Sequence, residues 1–170
     1  MNPISSILNL QSNSSISDEL ASRQLEVITK AYQFLSKPEN NIIYIADEVG
    51  LGKTYVALGI AILFRHFSTD IDQHRDLIIV PKKNLQQKWK NEIRNFVSNN
   101  YKGDNEVLKM QLRQEDNIKE RLMPVNSKDP VTIFRMTSFS SIGVFQNRKA
   151  EYRNYLVQTV FNSDSFAQRI

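Results

Sequence analysis

The strongest constraint on this chain is the stretch Ala46-Asp47-Glu48-Val49-Gly50-Leu51-Gly52-Lys53-Thr54, set between two apolar segments. Before it, Ile42-Ile43-Tyr44-Ile45 reads as a short β-branched strand. After it, Lys53 to Phe67 reads as a helix with almost no polar face, which should therefore be buried. Strand, glycine turn and helix in that order form the context that phosphate binding requires. The turn lets successive backbone N–H groups point into one concavity, and the helix adds its positive dipole end. Gly50 and Gly52 supply positive φ and a close approach, Lys53 can reach the β- and γ-phosphates, and the Thr54 hydroxyl can ligate Mg²⁺. A solvated loop with an exposed lysine is the competing reading, and it leaves the flanking strand and helix unexplained.

The rest of the chain continues the alternation. Residues 5–17 are rich in Ser and Asn and read as a mobile leader or a docking arm, so residues 1–17 are taken as a flexible leader. Ser15-Ile16-Ser17-Asp18 has capping-box spacing, and Leu25, Ile28, Tyr32 and Leu35 then recur at helical spacing until Lys37-Pro38. Leu77-Ile78-Ile79-Val80 predicts a second strand closed by Pro81, followed by a helix with Leu85, Trp89, Ile93 and Phe96 on one face. Glu106 to Leu112 alternates and predicts a third strand, and Gln114 to Leu122 a short helix. Val131 to Met136 predicts a fourth strand, and Lys149 to Phe161 a last amphipathic helix. Strands alternating with helices imply an α/β domain with a parallel sheet.

Composition narrows the function. The 170 residues carry a net charge of +4, which excludes a polybasic tail or a strongly acidic disordered chain. With no cysteine there is no disulfide scaffold, thiolate zinc site or cysteine nucleophile, and a reducing, cytoplasmic setting is expected. No signal-peptide pattern opens the chain, and its longest apolar run, Tyr55 to Phe64, is too short to span a membrane.

Ala46 to Thr54 resembles motif I of the Swi/Snf-type branch of superfamily-two helicases and translocases, including Asp47 where many phosphate loops have their first glycine. Three more segments match in order. Arg23-Gln24-Leu25-Glu26, with Gln24 placed 29 residues before Lys53, resembles the upstream glutamine motif whose Gln reads adenine. Leu77 to Pro81, followed by Leu85, Trp89 and Glu92, resembles motif Ia, and Met136-Thr137-Ser138-Phe139 resembles motif Ib. The resemblance implies an ATP-driven motor on double-stranded nucleic acid, built from two RecA-like lobes, with residues 18–170 as part of the first. It implies ATP and Mg²⁺ as cofactors, held by Gln24, Asp47, Glu48, Val49, Gly50, Leu51, Gly52, Lys53 and Thr54. It also implies backbone contacts to DNA through Lys82, Lys83, Thr137 and Ser138.

One part of that machine is missing. Phosphoryl transfer needs an acid at the end of a buried strand to hold Mg²⁺ and a group that orients the attacking water. No apolar strand in this sequence ends in Asp-Glu, and after Thr137 the only acids are Glu151 and Asp164. The DEAH-type box, the arginine finger and the second lobe are all absent. The expectation is a RecA-like lobe incomplete at its C-terminal end, a piece of a larger motor that binds ATP without turning it over. The alternatives are a non-catalytic nucleotide- or nucleic-acid-binding module, or a small phosphotransferase. The latter lacks its own Mg²⁺-binding acid and acceptor pocket.

The charge distribution taken alone reads as a solvated helix face, and only with the motif order does it point to a nucleic-acid partner. Residues 1–81 are net −3, residues 82–100 net +4, residues 101–130 neutral and residues 131–170 net +3. Cations therefore gather at and after the motif Ia strand, where Lys82 and Lys83 are candidates for phosphate contacts. Lys88, Lys90 and Arg94 read as surface charges, Trp89 as core, and His66 and His74 as structural or exposed.

Overall fold

The computed structural model describes residues 3–12, 16–46, 52–121 and 129–136. Its helices are α1 (Pro3–Ile7), α2 (Asp18–Leu35), α3 (Lys53–His66), α4 (Lys83–Asn99) and α5 (Glu106–Arg113). Its strands are β1 (Asp76–Val80), β2 (Ile118–Arg121) and β3 (Val131–Arg135). The three strands form one sheet in the order β1-β3-β2, with both pairings parallel. Val131 to Phe134 of the central strand are buried, as parallel strands covered on both faces are. The fold is the expected one, an α/β parallel sheet flanked by helices.

Local chemistry sets the ends of the helices. The α2 N-cap is Ser17, whose hydroxyl accepts from the Leu20 N–H at 3.2 Å, two residues later than the capping-box reading. The helix closes where Ser36 Oγ donates to the Tyr32 carbonyl, before Pro38. α2 and α3 pack against each other so closely that a Cβ on Gly59 would collide with Ile28 Cδ1. The elements α3, β1 and α4 follow the sequence reading within a residue or two.

Four expectations are corrected. Glu106–Arg113 is a helix, because Asn105 accepts from the Leu108 N–H and the buried Leu108, Gln111 and Leu112 share one helical face. Ile118–Arg121, expected within a short helix, is a strand, because it pairs along β3 in parallel register. Residues 42–46 pair with no strand among the described residues, and Ile42 and Tyr44 are 85% and 86% exposed. A strand gains stability only from a neighbour that satisfies its backbone groups, and β1, β2 and β3 offer it none.

The fourth correction concerns the flexible leader, since residues 3–12 are packed. Ile4, Ile7, Leu8 and Leu10 lie in the core, Leu8 pairs with Tyr101, and Asn100 donates to the Asn9 carbonyl at 2.9 Å. Apolar residues at positions 4, 7 and 8 give even this short helix one buried face. The predicted helix Lys149 to Phe161 lies outside the described residues.

The far end of α3 is tied into the sheet by Arg65, which is fully buried. Its guanidinium donates to Asp76 Oδ2 at 2.7 and 3.1 Å, to the Pro130 carbonyl at 2.8 Å and to Gln111 Oε1 at 2.8 Å. These bonds join α3 to the starts of β1 and β3 and to α5. Burial disfavours the charged form of Asp76, but the His74 hydrogen bond and Arg65 together outweigh it and hold the carboxyl below its usual range. His66 is also structural: its Nδ1 lies 2.7 Å from the Tyr101 hydroxyl.

Candidate nucleotide-binding site

The site is built where α2 meets the start of α3. Gly52 is the N-cap of α3, with φ 78° and ψ 31°, in the left-handed region that glycine alone adopts without strain. Its carbonyl accepts the Val56 N–H at 3.1 Å, so the helix starts directly from the turn. A Cβ on Gly52 would run into the amide of Gln24, Nε2 nearest, with Cδ at 3.2 Å. Gln24 is 4% exposed, held on the α2 face that carries Ile28 one turn later. The two sequence signals 28 residues apart are therefore in contact.

Lys53 and Thr54 form the half-buried first turn of α3, which contains no acidic residue. The N-terminal N–H groups of this 14-residue helix carry its positive dipole end. A glycine that leaves no room for a side chain, a helix N-terminus, a lysine and a hydroxyl together fit a triphosphate with its Mg²⁺. Among the described residues no group of three or more His, Asp or Glu gathers as a metal site. Asp47, Glu48, Val49, Gly50 and Leu51 lie outside the described residues, as do Thr137 and Ser138.

Lys82 and Lys83 sit at the C-terminal end of β1. Both are exposed, and Lys82 is the extended N-cap of α4, with no side-chain cap and no acid in the first turn. Met136 donates its N–H to the Val80 carbonyl at 2.6 Å, which brings the end of β3 beside the same edge. Arg135, which the sequence reading missed, ends β3 opposite Val80, and its buried Nε has no acceptor among the described residues. The available signal was its place after the apolar run Val131 to Phe134. Arg65 was also missed, although an arginine inside an almost wholly apolar helix is itself a signal.

Compared with known protein families, residues 17–161 match the family described as type III restriction enzyme, res subunit. The chain belongs to that family. It is a superfamily-two helicase ATPase family with a RecA-like fold, so the chain is an ATP-dependent helicase-like domain. Helicase ATPases use ATP and Mg²⁺ and engage nucleic acid as full-length proteins. No curated protein and no solved structure matches the chain. No helix among the described residues is long and apolar enough to cross a membrane.

Proposed function

We propose that the chain is the ATP-binding part of the first lobe of a Swi/Snf-type translocase on double-stranded DNA. It binds Mg·ATP and does not turn it over by itself. The observation that carries this reading is the contact between Gln24 and Gly52, which joins an adenine-reading amide to a phosphate-cradling turn. Gly52 and the first turn of α3 offer N–H groups to the phosphates, Lys53 neutralises the β- and γ-oxygens, and Thr54 Oγ1 ligates Mg²⁺. Asp47, Glu48, Val49, Gly50 and Leu51 complete the loop. When bound, Mg·ATP supplies the phosphoanhydride bond whose hydrolysis drives such motors.

Lys82 and Lys83 hold the DNA backbone at the C-terminal end of β1, with the open N-terminus of α4 adding positive potential there, and Thr137 and Ser138 are further contacts by motif resemblance alone. Arg135 ends the neighbouring strand on the same side. Hydrolysis waits on an acid at a strand end and on a second lobe. Titration calorimetry tests the pocket: wild-type chain binds Mg·ATP and Lys53→Ala does not. Unchanged affinity in Lys53→Ala refutes the assignment. A steady-state ATPase rate from the 170-residue chain, lost in Lys53→Ala, refutes the claim that it cannot turn over alone.

A further inference from the structure

We infer that the exposed face of α4, ending in the cleft between α4 and α5, binds a nucleic-acid phosphodiester backbone and extends the contact that begins at Lys82 and Lys83. The inference rests on the nucleic-acid reading of that sheet edge and adds a second group of contacts to it.

The cleft has a volume of about 460 Å³ and is lined by Asn91, Arg94, Asn95, Ser98 and Arg113. Two guanidinium groups, two amides and a hydroxyl line it, and no carboxylate does. Pockets for neutral small molecules are mostly apolar with a few placed polar groups, and this lining is the reverse. Both arginines line the cleft, Arg94 while loosely paired with Glu115. Arg113 is exposed and makes no hydrogen bond or ion pair among the described residues. Arg94 lies 3.8 Å from Glu115, beyond hydrogen-bond reach, while Lys90 holds that carboxylate at 3.1 Å. Gln87 donates to Asn91 Oδ1 at 3.1 Å, which commits the oxygen and leaves the Asn91 N–H groups as donors. Planar guanidinium forks and outward N–H groups match the oxygens of phosphate.

The cleft is not isolated. Lys83, Gln87, Asn91, Arg94 and Ser98 recur three or four residues apart and so share one face of α4. At 1.5 Å per residue the row from Lys83 to Ser98 is about 22 Å long. At 3.4 Å per phosphate of one strand, that is about six phosphates. The single acid of α4, Glu92, falls outside the row. A continuous surface of cations and neutral donors, with the nearby Glu115 carboxylate already paired to Lys90 and Arg94, suits a backbone read by charge and not by base.

Fluorescence anisotropy with a short labelled duplex tests this across a salt series, with the full chain and exposed-residue variants that leave the core intact. Each phosphate contact contributes about 0.9 to the slope of log Kobs against log salt. Arg94→Gln/Arg113→Gln should flatten that slope by about 2. Arg94→Lys/Arg113→Lys should restore it, because the slope counts charge. Lys82→Ala/Lys83→Ala should weaken binding separately. A wild-type slope in Arg94→Gln/Arg113→Gln, with binding weakened in Lys82→Ala/Lys83→Ala, overturns this inference and leaves the sheet-edge contact standing. Absence of duplex binding by wild-type chain overturns both. Arginine-dependent binding of a polyglutamate peptide, without duplex binding, overturns it in favour of an acidic protein segment.

Discussion

Replacing Gly52 by alanine puts a methyl group into space that the Gln24 amide occupies, on a backbone held at φ 78°. The left-handed conformation costs an L-residue about 1–2 kcal/mol. Forcing a methyl into a packed contact costs about 1–3 kcal/mol more. Against these, alanine stiffens the unfolded chain and returns about 0.4–1 kcal/mol. The expected loss is therefore about 1–5 kcal/mol out of a typical 5–15. Urea unfolding followed by circular dichroism measures it from the shift in midpoint at constant slope.

Gln24→Ala separates the two causes. It removes the amide, so Gly52→Ala in that background should keep only the backbone cost. The double variant is then more stable than the sum of the single losses by about 1–3 kcal/mol, the overlap energy alone. If Gly52→Ala loses the same stability in both backgrounds, Gln24 and Gly52 are not in contact. If it loses none in either, the left-handed turn is wrong as well.

Three more outcomes follow from the packing. Arg65→Ala strands the partly buried Asp76 carboxylate and should destabilise by about 3–5 kcal/mol, read by the same urea titration, and an unchanged midpoint contradicts the buried network. Because the Asp76 pKa is depressed on folding, its contribution is present above the unfolded carboxyl range and is lost as pH falls through the lower folded value. Asp76→Asn should flatten stability against pH in that acidic window, and an identical profile rules Asp76 out. Leu8→Ala, in a segment that sequence alone reads as a leader, should destabilise by about 2–5 kcal/mol, whereas no effect in thermal unfolding would return residues 3–12 to a loose arm.

Where one element carried its own signal, the sequence was enough. Periodicity located α2 and α4, an unbroken apolar run located α3, and β-branched runs closed by Pro81 or Met136 located β1 and β3. The errors occur where neighbours decide. In Glu106–Arg113 the apolar residues alternate as readily as they coil, and the Asn105 cap with the buried Leu108 and Leu112 selects the helix, leaving Val107 and Met110 outside. Ile118–Arg121 has one apolar residue and becomes a strand because β3 offers it a ladder. Residues 42–45 have strand composition and, among the described residues, no ladder.

For the proposed site, spacing nominates the turn, Lys53, Thr54 and the lysines after β1. It could not show that Gln24 touches Gly52, because that contact depends on how α2 and α3 pack. Arg65 and Arg135 left only the signal of an arginine in or after an apolar run, since their burial and surroundings are set by packing and not by a motif.

The central claim, that the turn entering α3 holds Mg·ATP against Gln24, is tested most directly by amide-resolved NMR titration of the chain with Mg·ATP. The account predicts that the largest shifts fall on the backbone N–H groups of Gly52, Lys53 and Thr54 and on the Gln24 side-chain amide. Shifts concentrated instead around Arg94 and Arg113, with Gly52 and Gln24 unmoved, would contradict it.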